Sequence, residues 1–279
     1  MYYPKNFDRG RAIELGGLVK QAYSQLKDYQ DDRPWNLKGN YSLVSELKYV
    51  GKPVSPAKAV NQFDEELRKF AKSKLQRRQG LPIGFIAENA AEVFLIFRGT
   101  VTTSEWLRDL NIRLTSYPHF DSCKVHEGFL QTFNVFRTRI MESLAGLDTR
   151  KRLFVAGHSL GAALATLAVP DLAVSTGFKS PIVYTYASPR VGDKAFAQAY
   201  DRQCGKRSFR IANTSDLVVS IPLPVPFLGF IGGFFTHVET PIDFTVQEED
   251  LEKNHVIETY ITALKEDRKT QGFLRSLFK

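Results

Sequence analysis

The sequence predicts an α/β fold, a mainly parallel sheet covered by helices on both faces. Three observations carry this expectation. The segments "RLFVAG" and "PIVYTYAS" are apolar through most of their length, as strands buried on both faces are, and "RSFRIAN" is a third strand. They alternate with longer stretches of helical periodicity. The chain has 279 residues, 43% hydrophobic and 24% charged, which suits one domain spanning residues 1–279 with a core that needs no disulfide or metal.

The elements follow in order. Ile13, Leu15, Leu18 and Ala22 recur at helical spacing and predict a helix over 8–28. "YSLVSELKYV" alternates as a strand does and is closed by a Gly-Lys-Pro turn. "NQFDEELRKFAKSKL" is amphipathic and helical. "PIGFIAE" and "EVFLIFRG" form a hairpin through "NAA". "RLFVAG" is a buried strand, and an apolar helix starts at Leu160. Pro170 should end or kink that helix at Val169, because proline lacks the N–H that the ladder needs. "PIVYTYAS", "RSFRIAN" and "PIDFTVQ" are further strands, "DKAFAQAYDRQ" is a helix, and "NHVIETYITALKED" is the last helix, opened by His255.

Bulk composition narrows the function. The net charge is +8, which favours anionic partners, yet there is no Gly-rich phosphate loop and no nucleic-acid motif. "KLQRRQG" is a solvated turn. Two cysteines, Cys123 and Cys204, stand far apart with no metal-ligand spacing, so they predict two free thiols in a reducing compartment rather than one bridge of a secreted enzyme. No metal site is expected. The first residues lack an apolar run after a basic start, which sets a cytoplasmic or membrane-peripheral location as the default.

The chemistry centres on "GHSLG", Gly157 to Gly161. In a strand-turn-helix elbow the serine takes a strained backbone conformation that lifts its hydroxyl onto the next helix. The residues two before and two after must be small, because strand and helix nearly touch. Gly-x-Ser-x-Gly alone arises by chance in about one chain in ten of this length. A buried strand before it and a helix after it make Ser159 a candidate nucleophile.

Such a serine needs an acid and then a histidine later in the chain. His237 and His255 are the histidines that follow. His255 comes after the last strand and is preferred over His237. Asp216 lies just past "FRIAN" at the sheet edge and is preferred over Asp193, which suits a helix N-terminus better. The oxyanion donors would be the N–H of Leu160 and a group on the loop after "EVFLIFRG", with Thr100 at its mouth.

"VFLIFRGT", "WLRDL", "VHEGF", "GHSLGAALA", "YASPRVGD", "NTSDLVVSIP" and "NHVIETY" occur in this order, and residues 83–264 thereby resemble the class 3 lipase family. The resemblance implies an α/β-hydrolase fold, no cofactor and hydrolysis of glycerolipid acyl esters. It places the nucleophile on Ser159, the acid on Asp216, the base on His255 and the oxyanion residues on Thr100 and Leu160. It marks His126 and His158 as structural. "THVET" lacks the glycine that often follows His237 in relatives, and the first 80 residues match only loosely. An acyltransferase would carry the same triad, and a non-catalytic lipid-binding module would show a broken one.

Three segments bear on lipid contact. "TTSEWLRDLNI" fits a capped amphipathic helix with Trp106, Leu107 and Leu110 on one face, either a lid or a fixed surface helix. Residues 218–236 carry no charge but contain three prolines. The segment with Phe227, Leu228, Phe230 and Ile231 therefore either lines an acyl pocket or dips into a bilayer. Residues 265–279 include "KTQGFLRSLFK", a basic amphipathic tail that either meets an anionic membrane or docks on the protein's own core.

Overall fold

The computed structural model describes residues 1–50, 79–100, 113–222, 235–238 and 240–277, together with Glu66 and Phe70. Trp106, Leu107 and Leu110, the lid candidates, lie outside the described residues, as do Phe227, Leu228, Phe230 and Ile231. Of the tail, the helical backbone is described to Leu277 but the side chains only to Asp267.

Helix α1 (Arg9–Gln30) starts where Asp8 accepts a hydrogen bond from the Arg11 N–H at 2.9 Å, a side-chain cap for one orphan donor. Its apolar stripe, Leu15, Leu18, Val19 and Ala22, is buried. Burial of each large side chain there stabilises the fold by about 1.5–3 kcal/mol. Strands β1 (Ser42–Tyr49), β2 (Leu81–Glu88) and β3 (Glu92–Phe97) follow as an antiparallel meander. The expected hairpin is β2–β3.

From β3 onward the sheet is parallel. β3 pairs with β6 (Arg152–His158), β6 with β7 (Ile182–Tyr186), β7 with β9 (Ser208–Asn213), and β9 with β11 (Thr240–Phe244). The seven-stranded order is β1-β2-β3-β6-β7-β9-β11. Side chains alternate between the faces. Val93, Leu95 and Phe97 of β3 join the core beneath helices α2 (Glu127–Ala145) and α3 (Leu160–Ser175). Phe94 and Ile96 join the core on the other face, with α1 and α6 (Ile257–Leu277). Both faces are therefore covered, as the apolar strands require.

Three expectations need correction. A second, four-stranded sheet, β10-β8-β5-β4, is built from β4 (Leu114–Ser116), β5 (Lys124–His126), β8 (Gly192–Asp193) and β10 (Phe235–Thr236). Strands of two or three residues are too short to show a period. Pro170 does not end its helix, which runs on to Ser175. Leu160 to Leu172 is buried on every face, so packing outweighs the roughly 3 kcal/mol that an interior proline costs. The Tyr117 hydroxyl donates to the Leu167 carbonyl at 2.8 Å, supplying a partner beside the interrupted ladder. His255 does not open the last helix. It ends the short helix α5 (Leu251–His255), and α6 begins at Ile257 after an extended Val256.

Helix α4 (Lys194–Gln203) begins with Asp193 accepting from the Phe196 N–H at 2.7 Å, the capping role expected for that aspartate.

Candidate active site

Ser159 sits between β6 and α3 with φ 57° and ψ −126°. An L-residue rarely adopts this conformation, and it persists where the surroundings over-determine it. Two glycines make the turn feasible. A Cβ on Gly157 would lie 2.1 Å from the Gly161 carbonyl oxygen, and one on Gly161 would lie 2.5 Å from the Arg98 carbonyl oxygen. Strand, helix and the loop after β3 thus meet backbone to backbone. The Ser159 N–H donates to the Tyr186 carbonyl at 3.0 Å, tying the turn to the neighbouring strand.

Asp216 and His255 meet at the same rim. Asp216 follows β9 and caps a short 3-10 turn, Leu217–Ser220, by accepting from the Val218 N–H through Oδ1 at 2.9 Å. Its Oδ2 accepts from His255 Nδ1–H at 2.7 Å and from the Tyr260 hydroxyl at 2.6 Å. Because Nδ1 donates to a carboxylate, the neutral imidazole presents a bare Nε2. Burial, with the Asp216 charge beside it, pushes the Tyr260 phenol well above its ordinary range, so it stays a donor. The rejected alternative is accounted for too. His237 Nε2–H donates to the Val219 carbonyl at 2.7 Å and braces the turn after Asp216.

The buried side-chain atoms with no hydrogen-bond partner among the described residues include Ser159 Oγ, His255 Nε2 and Thr100 Oγ1. Such orphans are rare in folded proteins and cluster where a reaction partner completes them. Thr100, His158 and His255 line one cavity of about 270 Å³ together with Tyr23. Leu160 is buried as the first residue of α3, where helical N–H groups lack intrahelical acceptors.

A hydrogen-bonded chain that sequence reasoning missed runs behind these groups. The Gly99 N–H donates to the Tyr23 hydroxyl oxygen at 2.9 Å. That hydroxyl donates to His158 Nδ1 at 2.8 Å, and His158 Nε2–H donates to the His255 carbonyl at 2.6 Å. The proton assignment follows from the carbonyl, which only accepts. Burial first, and the His255 imidazole second, hold the His158 pKa well below 6.5, so it remains neutral. Beneath the same loop, fully buried Arg98 donates from Nε to the Pro82 carbonyl at 2.8 Å and from Nη1 to the Gly99 carbonyl at 2.6 Å. Its Nη2 pairs with buried Glu66 at 2.9 Å. Tyr23 gave no motif signal, and Tyr260 closed "NHVIETY" with no role assigned to it. Only the tertiary fold brings α1 and α6 to the elbow. His126, by contrast, accepts from the Phe129 N–H at 3.3 Å and stacks on that ring, in keeping with its expected structural place.

Residues 94–225 match the family described as lipase (class 3). The chain is 34% identical over 179 residues to a secreted mono- and diacylglycerol lipase A of Penicillium cyclopium, covering 60% of this chain and 55% of that protein. It is 29% identical to a chloroplastic phospholipase A(1) of Arabidopsis thaliana, covering 77% of this chain and 48% of the other. Among solved structures it resembles a triacylglycerol lipase whose catalytic centre is a serine protease triad, with 28% identity and a TM-score of 0.52 over 58% of this chain and 61% of that one. The chain spans about half the length of the curated relatives it matches.

The cytoplasmic expectation is corrected by these relatives, since the Penicillium lipase is named as secreted. Its grounds were weak physically. Cys123 and Cys204 are both buried thiols outside any disulfide, and shielded thiols of this kind do not distinguish one compartment from another. The fold is that of the α/β hydrolases, and residues 94–225, which carry the sheet centre and the elbow, match the class 3 lipase family.

Proposed function

We propose that the chain hydrolyses acyl esters of glycerolipids through Ser159, His255 and Asp216. One observation carries this reading: a strained serine and an imidazole share a sheet rim, and among the described residues neither the buried Ser159 Oγ nor the buried His255 Nε2 has a hydrogen-bond partner. The names of the relatives, lipases and phospholipases, support the substrate class.

The chemistry follows from the proton positions. Ser159 Oγ attacks the ester carbonyl carbon while His255 Nε2 takes the hydroxyl proton. Asp216 holds the tautomer and stabilises the imidazolium without taking the proton itself. The Leu160 N–H and the Thr100 group stabilise the oxyanion. Each such donor is worth about 10² to 10³ in rate. The carbon–oxygen bond to the alcohol then breaks, and His255 returns its proton to the departing oxygen. Water adds to the acyl-serine through the same base, the acid leaves, and Ser159 regains its proton. The net charge of +8 supports peripheral approach to an anionic lipid surface.

Labelling with a fluorophosphonate probe, scored beside fatty-acid release from a short-chain diacylglycerol, tests the reading. The expected result is labelling and turnover, both abolished in Ser159→Ala with circular dichroism unchanged. An unlabelled, inactive wild-type chain would return the protein to the non-catalytic lipid-binding class.

A further inference from the structure

We infer that Glu252 and Glu258 select the lipid by its head group, disfavouring anionic head groups against uncharged or choline-bearing ones. The inference rests on the ester-hydrolase reading and deepens it. The remaining described wall of the 270 Å³ cavity beside His255 is Glu252, Val256, Ile257 and Glu258. It is apolar in the middle and carries two exposed carboxylates.

The chemistry places a particular part of the substrate there. His255 returns its proton to the oxygen of the departing alcohol, so the alcohol, with the head group on it, occupies the imidazole side of the serine. His255 Nε2 and Thr100 Oγ1, buried atoms of that cavity, have no hydrogen-bond partner among the described residues. The acyl chain must lie on the other side of the scissile bond. The carboxylates therefore face the head group rather than the tail.

The local charge opposes the charge of the whole. The molecule carries +8, but residues 248–253 hold Glu248, Glu249, Asp250 and Glu252 against Lys253 alone. All are exposed. Glu258 pairs with Lys20 at 3.0 Å, which offsets part of its charge. Glu252 has no ion pair among the described residues and carries most of the discrimination. Like charges brought together in a hydrated site disfavour binding by about five-fold, more where water is excluded.

The test uses the full chain and monomeric substrates, so that attraction to an anionic surface does not enter. Hydrolysis of dihexanoyl phosphatidylcholine and dihexanoyl phosphatidylglycerol is measured below their micelle concentrations and compared as a ratio of kcat/KM. We expect about five-fold or greater preference for the choline lipid at low salt, shrinking as salt is raised. Glu252→Gln should bring the ratio towards one, and Glu252→Lys should invert it. The ratio cancels any loss common to both substrates. A wild-type ratio near one with active enzyme, or a preference untouched by both variants, overturns the selectivity alone. No hexanoate from dihexanoylglycerol and no fluorophosphonate labelling of Ser159 overturns the hydrolase reading with it.

Discussion

Asp216 receives three donors on two oxygens, from Val218, His255 and Tyr260. Its value to the site is directional, since it fixes which imidazole nitrogen keeps the proton. Asp216→Asn preserves size and removes that constraint, because an amide can donate to Nδ1 and drive the proton to Nε2. We expect kcat on a soluble p-nitrophenyl ester to fall by about 10⁴-fold while the fold survives. A loss under ten-fold would show that the aspartate is not the orienting acid. At this scale much was legible. Gly157 and Gly161 announced the elbow because contact distances of 2.1 and 2.5 Å leave room for nothing else. Tyr260 was not legible, since a tyrosine in a helix carries no sign of the carboxylate it will meet.

Helix α1 holds more than its share of the core. Through Tyr23 it joins the loop at Gly99 to the elbow at His158, and His158 joins the elbow to the His255 carbonyl. The break at Val256 leaves that carbonyl turned to His158. Tyr23→Phe keeps the ring and strands two buried polar groups, the Gly99 N–H and His158 Nδ1. This should cost about 1–3 kcal/mol, read from urea unfolding. It should also lower kcat about ten-fold with little change in KM, because in the proposed mechanism the groups it positions act on the transition state. A loss of stability with kcat intact would reduce Tyr23 to a packing residue. The sequence showed α1 by its period but could not show this clamp, whose partners lie 76 and 135 positions away. It likewise hid the break at Val256, because helical periodicity runs straight across it.

Across the whole molecule, two histidines tie stability to pH. Burial holds His158 neutral well below pH 6.5, and burial with Arg210 and Arg190 nearby lowers His237 to about 3. Both titrate near 6.5 once unfolded. Below that pH the unfolded chain therefore binds more protons than the folded one, and stability falls as pH drops towards the folded values. The slope reaches about 1.4 kcal/mol per pH unit for each imidazole. Urea midpoints at pH 7.5 and 5 should differ accordingly, and His237→Gln should remove about half of the difference. Midpoints independent of pH over that range would mean the imidazoles are not held neutral. The parallel half of the sheet was readable from apolar strands spaced by helices, each step being local in the chain. The four-stranded side sheet was not, since its strands are two or three residues long and β8 and β10 reach β5 and each other across long stretches of sequence.

The twist at Ser159 has a cost that every copy of this molecule carries. Its backbone angles suit a residue with no side chain at all, so glycine there would fold more firmly and turn over nothing. Selection for thermal endurance alone would therefore drift towards a robust but inert protein. Under the proposed function, the serine oxygen would persist only where turnover itself is under selection.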